Sequence, residues 1–255
     1  MARGFDTTFG SASTDVISCA AFTTPNAITI SAWYWRNGSG GLTSGRIIDK
    51  TGSAVNEVGL QWRNTSSSLR FARTFSTTAG GWDVTSAPAV STGQWVHVLV
   101  VYDGSATANN PSIYINGQSV SVTRTTAPVG TVTSASGVLT IGNRSTGSTN
   151  WDGMIGDVAI WSEANAGAAA AMARALYSGV DPRTIRPQYL AEYVQSQGKP
   201  CSPIKSIQPT VTGTKPRADR MLAANDKGFP FGYVAAGGAT AVPVFMHHRQ
   251  MQGMS

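Results

Sequence analysis

The stretch STGQWVHVLVVYDG, residues 91–104, decides the fold of this chain. Alternate residues of an extended strand lie on opposite faces of a sheet. Neither face of this strand is polar, since one carries Trp95, His97, Leu99 and Val101 and the other carries Val96, Val98, Val100 and Tyr102. The pattern therefore predicts a strand that is buried on both sides.

The segment that follows, SIYINGQSVSV at residues 112–122, predicts an antiparallel hairpin beside that strand. Asn116 and Gly117 stand between two short runs of strand-forming residues. A two-residue type I′ turn needs positive φ at both central positions, and Asn followed by Gly is its preferred sequence. The hairpin and the central strand thus predict neighbouring strands of one sheet.

The other patterned segments are also short, and turn residues separate them. About ten to twelve strands of this length, with Gly, Ser, Thr or Asn between them, are typical of a β-sandwich or jelly roll. The helical pattern AGAAAAMARALYSG, at 166–179, is expected to lie against the rim of the sandwich. We therefore predict an all-β protein: a two-sheet antiparallel jelly-roll sandwich with one short helix and an extended C-terminal arm.

The composition of the chain changes near residue 179. Eight of the 12 prolines follow this point, and nine basic residues outnumber four acidic ones there. We predict a globular domain at 1–179 and an extended basic arm, rich in proline and glycine, at 180–255. The basic residues of the arm are scattered, whereas phosphate binding needs them clustered, so nucleic acid is not an expected partner.

The arm lacks the apolar pattern of a separate core, so it is expected to pack on its own domain, on neighbouring copies or on another protein. Adjacent side chains of an extended chain point apart, so the two histidines near its end are expected to contact a partner rather than to chelate one metal ion. The candidate contact residues of the arm are Arg186, Tyr189, Tyr193, Phe229, Phe231, Phe245, His247 and His248.

Targeting signals and cysteines predict a cytoplasmic origin. The amino-terminal residues MARGFDTTFG lack the apolar run of a signal peptide, and no stretch approaches the roughly 20 apolar residues of a membrane span. Cys19 and Cys201 are too few for a disulfide scaffold. We expect a protein made in the cytoplasm of its host, with reduced thiols and no membrane partner.

Six motifs, in order, carry a family resemblance: AITISAWYWR, RIIDK, STGQWVHVLVVYDGS, PSIYINGQSV, GVLTIGNRS and WDGMIGDVAIWSEA, followed by a helix ending ALYSG. This order resembles that of laminin-G-like, concanavalin A-like domains. The resemblance implies a sandwich of two antiparallel sheets, found in lectins, glucanases, pentraxins and accessory modules of phage virion proteins. The continuation VDPRTIRPQYLAEYV, at 180–194, also resembles a segment that follows such domains in phage structural proteins.

Calcium is the candidate cofactor, and it is implied by the resemblance. Relatives of this kind often hold a hard cation at the rim of the sandwich, and Asp6 and Asp157 match the positions that supply carboxylates. Calcium needs six to eight oxygen ligands, many of them from the backbone. The alternative is that these aspartates cap turns at strand ends.

The carboxylates predict no catalysis. Glycoside cleavage needs an acid and a nucleophile or base that face one bond about 5 to 10 Å apart. The only glutamates are Glu57, Glu163 and Glu192, and they form no cluster in the sequence. His97 has no Ser, Cys or acid placed to activate it, so it is interpreted as a core histidine. We expect the protein not to be an enzyme.

Two tryptophans are candidate glycan contacts. Sugars stack on exposed aromatic faces, but most of the seven tryptophans lie within strand patterns and are expected in the core. Trp82 and Trp151 stand beside loops of Gly, Asn and Asp, which favours exposure. A place in the core or at a protein interface is the alternative for both.

The sequence as a whole favours a non-enzymatic virion structural protein, a capsid decoration protein of a tailed bacteriophage anchored through its arm. Its partners would be the major capsid protein or neighbouring copies in a homo-oligomeric assembly. The alternative is a glycan-binding, lectin-like adhesion module of a phage fibre or another cell-attachment structure, with a host glycan as its ligand.

Overall fold

The computed structural model describes residues 2–5, 15–41, 44–51, 56–134, 136–164, 166–185, 189–191, 233–236 and 240–243. One α-helix, α1, spans Ala169–Tyr177, and a short 3-10 helix spans Pro182–Ile185. The strands, in chain order, are β1 (Ala2–Phe5), β2 (Ile17–Ser18), β3 (Phe22–Thr23), β4 (Ala27–Arg36), β5 (Arg46–Thr51), β6 (Asn56–Arg63), β7 (Ser68–Arg73), β8 (Gly80–Val84), β9 (Trp95–Asp103), β10 (Ser112–Ile115), β11 (Gln118–Ser119), β12 (Thr123–Thr126), β13 (Ser136–Ile141), β14 (Gly153–Trp161), β15 (Tyr189–Ala191), β16 (Tyr233–Ala236) and β17 (Thr240–Pro243).

The strands form two antiparallel sheets. The first sheet has the order β1-β14-β4-β9-β10-β11, and β15 pairs with the second half of β14. The second sheet has the order β12-β8-β7-β6-β5-β13-β2, with β3 also paired to β13. Strands β16 and β17 pair with each other. The predicted two-sheet antiparallel jelly-roll sandwich is therefore confirmed.

Strand β9 lies inside the first sheet, between β4 and β10, and is buried on both faces as predicted. Its inner face, with Val96, Val98 and Val100, packs in the main core between the sheets. Its outer face, with Leu99 and Val101, packs in a second apolar cluster formed with α1. Each such side chain contributes about 1.5 to 3 kcal/mol by leaving water.

The hairpin between β10 and β11 turns at Asn116 and Gly117, whose φ angles are 51° and 77°. Both values are positive, as a type I′ turn requires, so this prediction is confirmed. The Asn116 side chain also accepts a 2.8 Å hydrogen bond from the backbone N–H of His97. The turn is thereby fastened to the central strand.

Helix α1 lies across the outer face of the first sheet, not against the rim as the sequence suggested. Ala169, Ala173 and Leu176 form its buried stripe, and the small alanines let the helix approach the sheet closely. The sequence could not place the helix, because part of the apolar face that it covers, Leu99 and Val101 of β9, is far from it along the chain. Gly179 follows the helix with φ of 91°, the left-handed conformation in which glycine commonly ends a helix.

The chain stays on the sandwich beyond residue 179. Trp161 donates a 3.0 Å hydrogen bond from Nε1 to the carbonyl of Ile185, and β15 then pairs with residues 158–160 of β14. Strand β1 pairs only with residues 153–156, so β15 completes the same edge of the sheet and satisfies its backbone groups. The domain boundary predicted at 179 stays a prediction, and the described chain directly after it packs with the domain.

Most of the candidate contact residues of the arm lie outside the described residues. They are Arg186, Tyr193, Phe229, Phe231, Phe245, His247 and His248. Tyr189 is described through its backbone, which pairs with Ile160 in β14. The partner contacts predicted for these eight arm residues stay predictions. Among the described residues, no helix is long and apolar enough to cross a membrane.

Candidate glycan site

Trp82 and Trp151, the two tryptophans predicted to face solvent, are both buried. Trp82 is 0% exposed, packs against Phe71 and Tyr102, and donates its Nε1 hydrogen to the Asn110 side chain. Trp151 is 1% exposed and donates to the carbonyl of Trp35. Neither ring offers a free face to a sugar in this structure, so this interpretation is corrected: nearby loop residues had suggested exposure, but the sandwich closes over both rings.

Two other tryptophans are partly exposed. All seven tryptophans are among the described residues, and only Trp35 and Trp95 are not buried. They face each other across β4 and β9, with ring centroids 6.1 Å apart and planes at 69°. We call this pair the aromatic corner. Alternation along the two strands places Trp35 and Trp95 on the face opposite the core side chains of Tyr34 and Val96. This pattern is the signal by which the pair could have been found from the sequence.

The surroundings of the aromatic corner are open on one side. Met154 pairs with Trp35 in the neighbouring strand, and Gly4 pairs with Met154 at the edge of the sheet. A side chain built on Gly4 would meet nothing within 4 Å. Trp35 is held in place by a 3.0 Å hydrogen bond from its Nε1 to the side chain of Asn37. The corner is thus an ordered aromatic surface beside a shallow, uncrowded strip of sheet.

His97 lies on the same outer face but beneath the surface. It is 0% exposed, its Nε2 is 3.0 Å from the Ser31 hydroxyl, and the Trp33 and Tyr177 rings lie beside it. Burial lowers the pKa of His97 to about 3, so the ring is neutral over the physiological range. The structure agrees with the interpretation of a core histidine.

The outer face of the second sheet carries a row of polar side chains. The register aligns Arg46, Gln61, Arg70 and Asp83 on four successive strands, and we call these four residues the arginine row. Arg70 binds Asp83 with both ends of its guanidinium, at 2.6 and 3.1 Å. This surface was not singled out from the sequence, because its neighbouring members are 9 to 15 positions apart along the chain.

A third set of charges is buried at the opposite end of the second sheet. Lys50 Nζ lies 2.9 Å from Glu57, whose carboxylate also accepts a hydrogen bond from Thr24. Arg73 donates to the backbone carbonyls of residues 25, 57 and 133. Lys50, Glu57 and Arg73 are each at most 1% exposed, so no substrate reaches them and their contacts hold strands and loops together.

The carboxylates of the second sheet do not form a glycosidase pair. Asp49, Glu57 and Asp83 are each within ion-pair distance of a cation on their own sheet. A glycosidase needs one carboxyl that can give a proton and a second that can attack or activate water. These three carboxylates are engaged in ion pairs within the sheet instead.

Of the two predicted calcium ligands, only Asp157 lies among the described residues. Asp157 lies at a bulge of β14 with φ of 47°, a left-handed conformation that aspartate tolerates. Asp6 lies outside the described residues. Within the described ranges, no group of three or more His, Cys, Asp or Glu side chains could hold a metal ion. Calcium binding stays a prediction.

These features define the structural class of the protein, a two-sheet antiparallel sandwich. One helix and the aromatic corner lie on the outer face of its first sheet. The family model of the concanavalin A-like lectin/glucanases superfamily matches residues 8–168, and the chain belongs to this family. No curated protein sequence matches the chain.

Two solved structures are similar to this chain at low identity. A heptameric SAP-like pentraxin from Limulus polyphemus superposes with a TM-score of 0.52 and 16% identity, over 69% of this chain and 81% of the pentraxin. A putative carbohydrate binding protein from Bacteroides ovatus gives a TM-score of 0.46 and 16% identity, over 69% of this chain and 51% of that one. At this identity the likeness to the pentraxin concerns the fold alone.

Proposed function

We propose that this chain is a non-catalytic glycan-binding module and that a sugar ring stacks on Trp35 and Trp95. The observation that carries the proposal is the aromatic corner, which keeps the only two partly exposed tryptophans side by side on neighbouring strands. Membership of the lectin/glucanases superfamily supports the same class of ligand. The absence of a free carboxylate pair among the described residues of the second sheet supports binding without cleavage.

The geometry suits a saccharide. The apolar C–H face of a pyranose packs on an aromatic ring, while its hydroxyls point outward to polar partners or water. The planes of the Trp35 and Trp95 rings are 69° apart and form two contact surfaces. One sugar can contact both rings, or two neighbouring sugars can contact one ring each. Both tryptophans stand on strands of the sandwich, and sites on such rigid elements lose little entropy when they bind.

A glycan array probed with the full chain tests the proposal. We expect signals for a subset of glycans that fall about tenfold or more in W35A and W95A, because each truncation removes a stacking surface. The W35F and W95F variants should retain part of the binding. V129A is the matched control, since Val129 is 50% exposed and lies in a loop outside the aromatic corner. A binding signal at background for every glycan on the array would contradict the proposal.

The role of a capsid decoration protein stays a prediction from the sequence. It depends on the arm, and the contacts predicted for the arm lie almost entirely outside the described residues. The two roles are compatible, because a glycan-binding domain can be carried on a virion. Co-purification of the full chain with virions would support the structural role, and a protein absent from purified virions would contradict it.

A further inference from the structure

The arginine row stands beside a strip of small residues. Gly59 and Gly81 lie on the same outer face of the second sheet, two positions along their strands from Gln61 and Asp83. A methyl group on Gly59 would come within 3.2 Å of Arg46 Nη1, and one on Gly81 within 3.3 Å of Arg70 Nη1. The Arg46 guanidinium therefore lies against Gly59 and the Arg70 guanidinium against Gly81, and a larger residue at either glycine would displace its guanidinium.

Two polar atoms in this row are buried without a hydrogen-bond partner. They are Nε of Arg46, a donor, and Oε1 of Gln61, an acceptor. Arg46 is 5% exposed, Gln61 is 8% exposed, and the two residues pair directly across β5 and β6. Buried polar atoms of this kind are rare, because each costs the free energy of losing its hydrogen bond to water. A donor and an acceptor on neighbouring strands point to a bound group that satisfies both.

The charge on this face is unbalanced. Asp49 is shared by two cations, at 3.3 Å from Arg46 and 3.9 Å from Arg144. Burial lowers the pKa of the Arg46 guanidinium to about 10, Asp49 opposes this effect, and two further arginines add to it. On or beside this face, the described residues supply four cations against two carboxylates, an excess of two positive charges: Arg46, Arg63, Arg70 and Arg144 against Asp49 and Asp83.

We propose that the arginine row is a binding site for a hydroxycarboxylate of the acidic-sugar class, separate from the aromatic corner. The carboxylate accepts the hydrogen of Arg46 Nε and neutralises the positive excess, and an adjacent hydroxyl donates to Gln61 Oε1. Guanidinium groups pair with carboxylates through strong, charge-assisted hydrogen bonds. The Arg144 side chain, 33% exposed, and the Arg70 side chain, 14% exposed, are the accessible cations of this face, so on this proposal the ligand approaches on their side and the buried Arg46 and Gln61 side chains turn outward to meet it.

Titration calorimetry of the full chain at low ionic strength tests the site, with D-glucuronate as the probe and D-glucose as its neutral match. We expect glucuronate to bind at least tenfold more tightly than glucose, and added sodium chloride to weaken it. R46Q removes the donor charge, and Q61E places a competing carboxylate beside Arg46, so each should lower glucuronate affinity about tenfold or more. Equal binding of the two sugars, or unchanged binding in both variants, overturns the proposal.

G59A keeps every charge and tests the geometry if the charge variants do not fold. Its methyl group displaces the Arg46 guanidinium by a few tenths of an ångström, so glucuronate affinity should fall several-fold while thermal stability changes little. Wild-type affinity for glucuronate in this variant would count against the site. If chloride binds as tightly as glucuronate, the face takes any small anion and the acidic-sugar assignment is wrong.

The two proposals are separable by the same measurements. W35A and W95A should keep glucuronate binding, because the aromatic corner lies on the outer face of the first sheet and the arginine row on that of the second. R46Q should keep binding of neutral glycans for the same reason. Loss of both activities in every variant would show unfolding rather than two sites, and circular dichroism checks for that.

Discussion

His97 shows how the environment of a single residue couples stability to pH. It is fully buried with a neutral ring, and burial lowers its pKa from the usual 6.5 to about 3. In the unfolded chain the ring takes up a proton near pH 6.5, whereas in the folded protein it does not do so until about pH 3. The unfolded state therefore binds more protons between these values, and the fold loses stability as the pH falls.

We predict that H97Q flattens this pH dependence. The wild-type free energy of unfolding should fall by about 1.4 kcal/mol for each unit of pH below 6.5, in addition to any effect of the carboxylates. H97Q has no titrating ring, so the difference between the two proteins should shrink steadily from pH 7 to pH 4.5. Urea denaturation across that range measures it. Parallel curves for both proteins would show that His97 does not carry the effect.

The buried Lys50–Glu57 pair gives a second prediction at the residue scale. Removing one member leaves the other charge buried without a counter-charge, which typically lowers the free energy of unfolding by about 3 to 5 kcal/mol. We therefore expect K50M and E57Q each to be strongly destabilised, and the K50M/E57Q double variant to recover much of the loss. Urea denaturation of the four proteins checks this. Additive losses in the double variant would mean that the 2.9 Å contact carries no coupling.

At the scale of elements, the β10–β11 hairpin and α1 are packed against each other. Gly117 has φ of 77°, and a methyl group there would come within 3.3 Å of the backbone of Arg174 in α1. Gly93 has a similar φ of 71°, but a methyl group on it would meet nothing within 4 Å. These two glycines separate the strain of positive φ from the contact with the helix.

We predict that G117A is more destabilising than G93A. G93A should cost about 1 kcal/mol, the strain of a left-handed alanine, whereas G117A should cost that amount plus the displacement of α1. Thermal unfolding compares the two variants under one set of conditions. Equal losses would show that the helix moves aside freely, in contradiction to its tight packing on the sheet.

Strand β15 and the 3-10 helix before it give a further prediction at this scale. A chain that ends at residue 179 loses the Trp161–Ile185 hydrogen bond and leaves residues 158–160 of β14 without their partner strand. We expect it to melt several degrees below a chain that ends at residue 191, since 1 kcal/mol corresponds to roughly 2 to 4 °C at this size. Identical melting temperatures would support the boundary predicted at 179.

At the scale of the whole molecule, the sandwich separates two kinds of surface. The aromatic corner lies on the outer face of the first sheet and the arginine row on the outer face of the second. The core between the sheets holds them apart and fixes their orientation. On our proposals, one domain engages a neutral sugar ring on one side and an acidic one on the other.

Much of the fold could be predicted from the sequence, because its signals are local. The nearly continuous apolar run of residues 95–102 marked a strand buried on both sides, and Asn116-Gly117 marked the hairpin beside it. The order of motifs indicated the family whose model matches residues 8–168. Patterns of this kind reflect the period of a strand and the φ angles of a turn, which each short segment largely sets for itself.

The candidate sites were decided by tertiary structure. Trp82 and Trp151 look exposed beside their loops, yet the sandwich buries them, while Trp35 and Trp95 stand within strand patterns and reach the surface where no helix covers them. Arg46, Gln61, Arg70 and Asp83 become neighbours only when four strands align. Exposure and side-by-side placement depend on which distant segments meet, so the sequence by itself determined the strands and the family, and packing alone decided which side chains a ligand can touch.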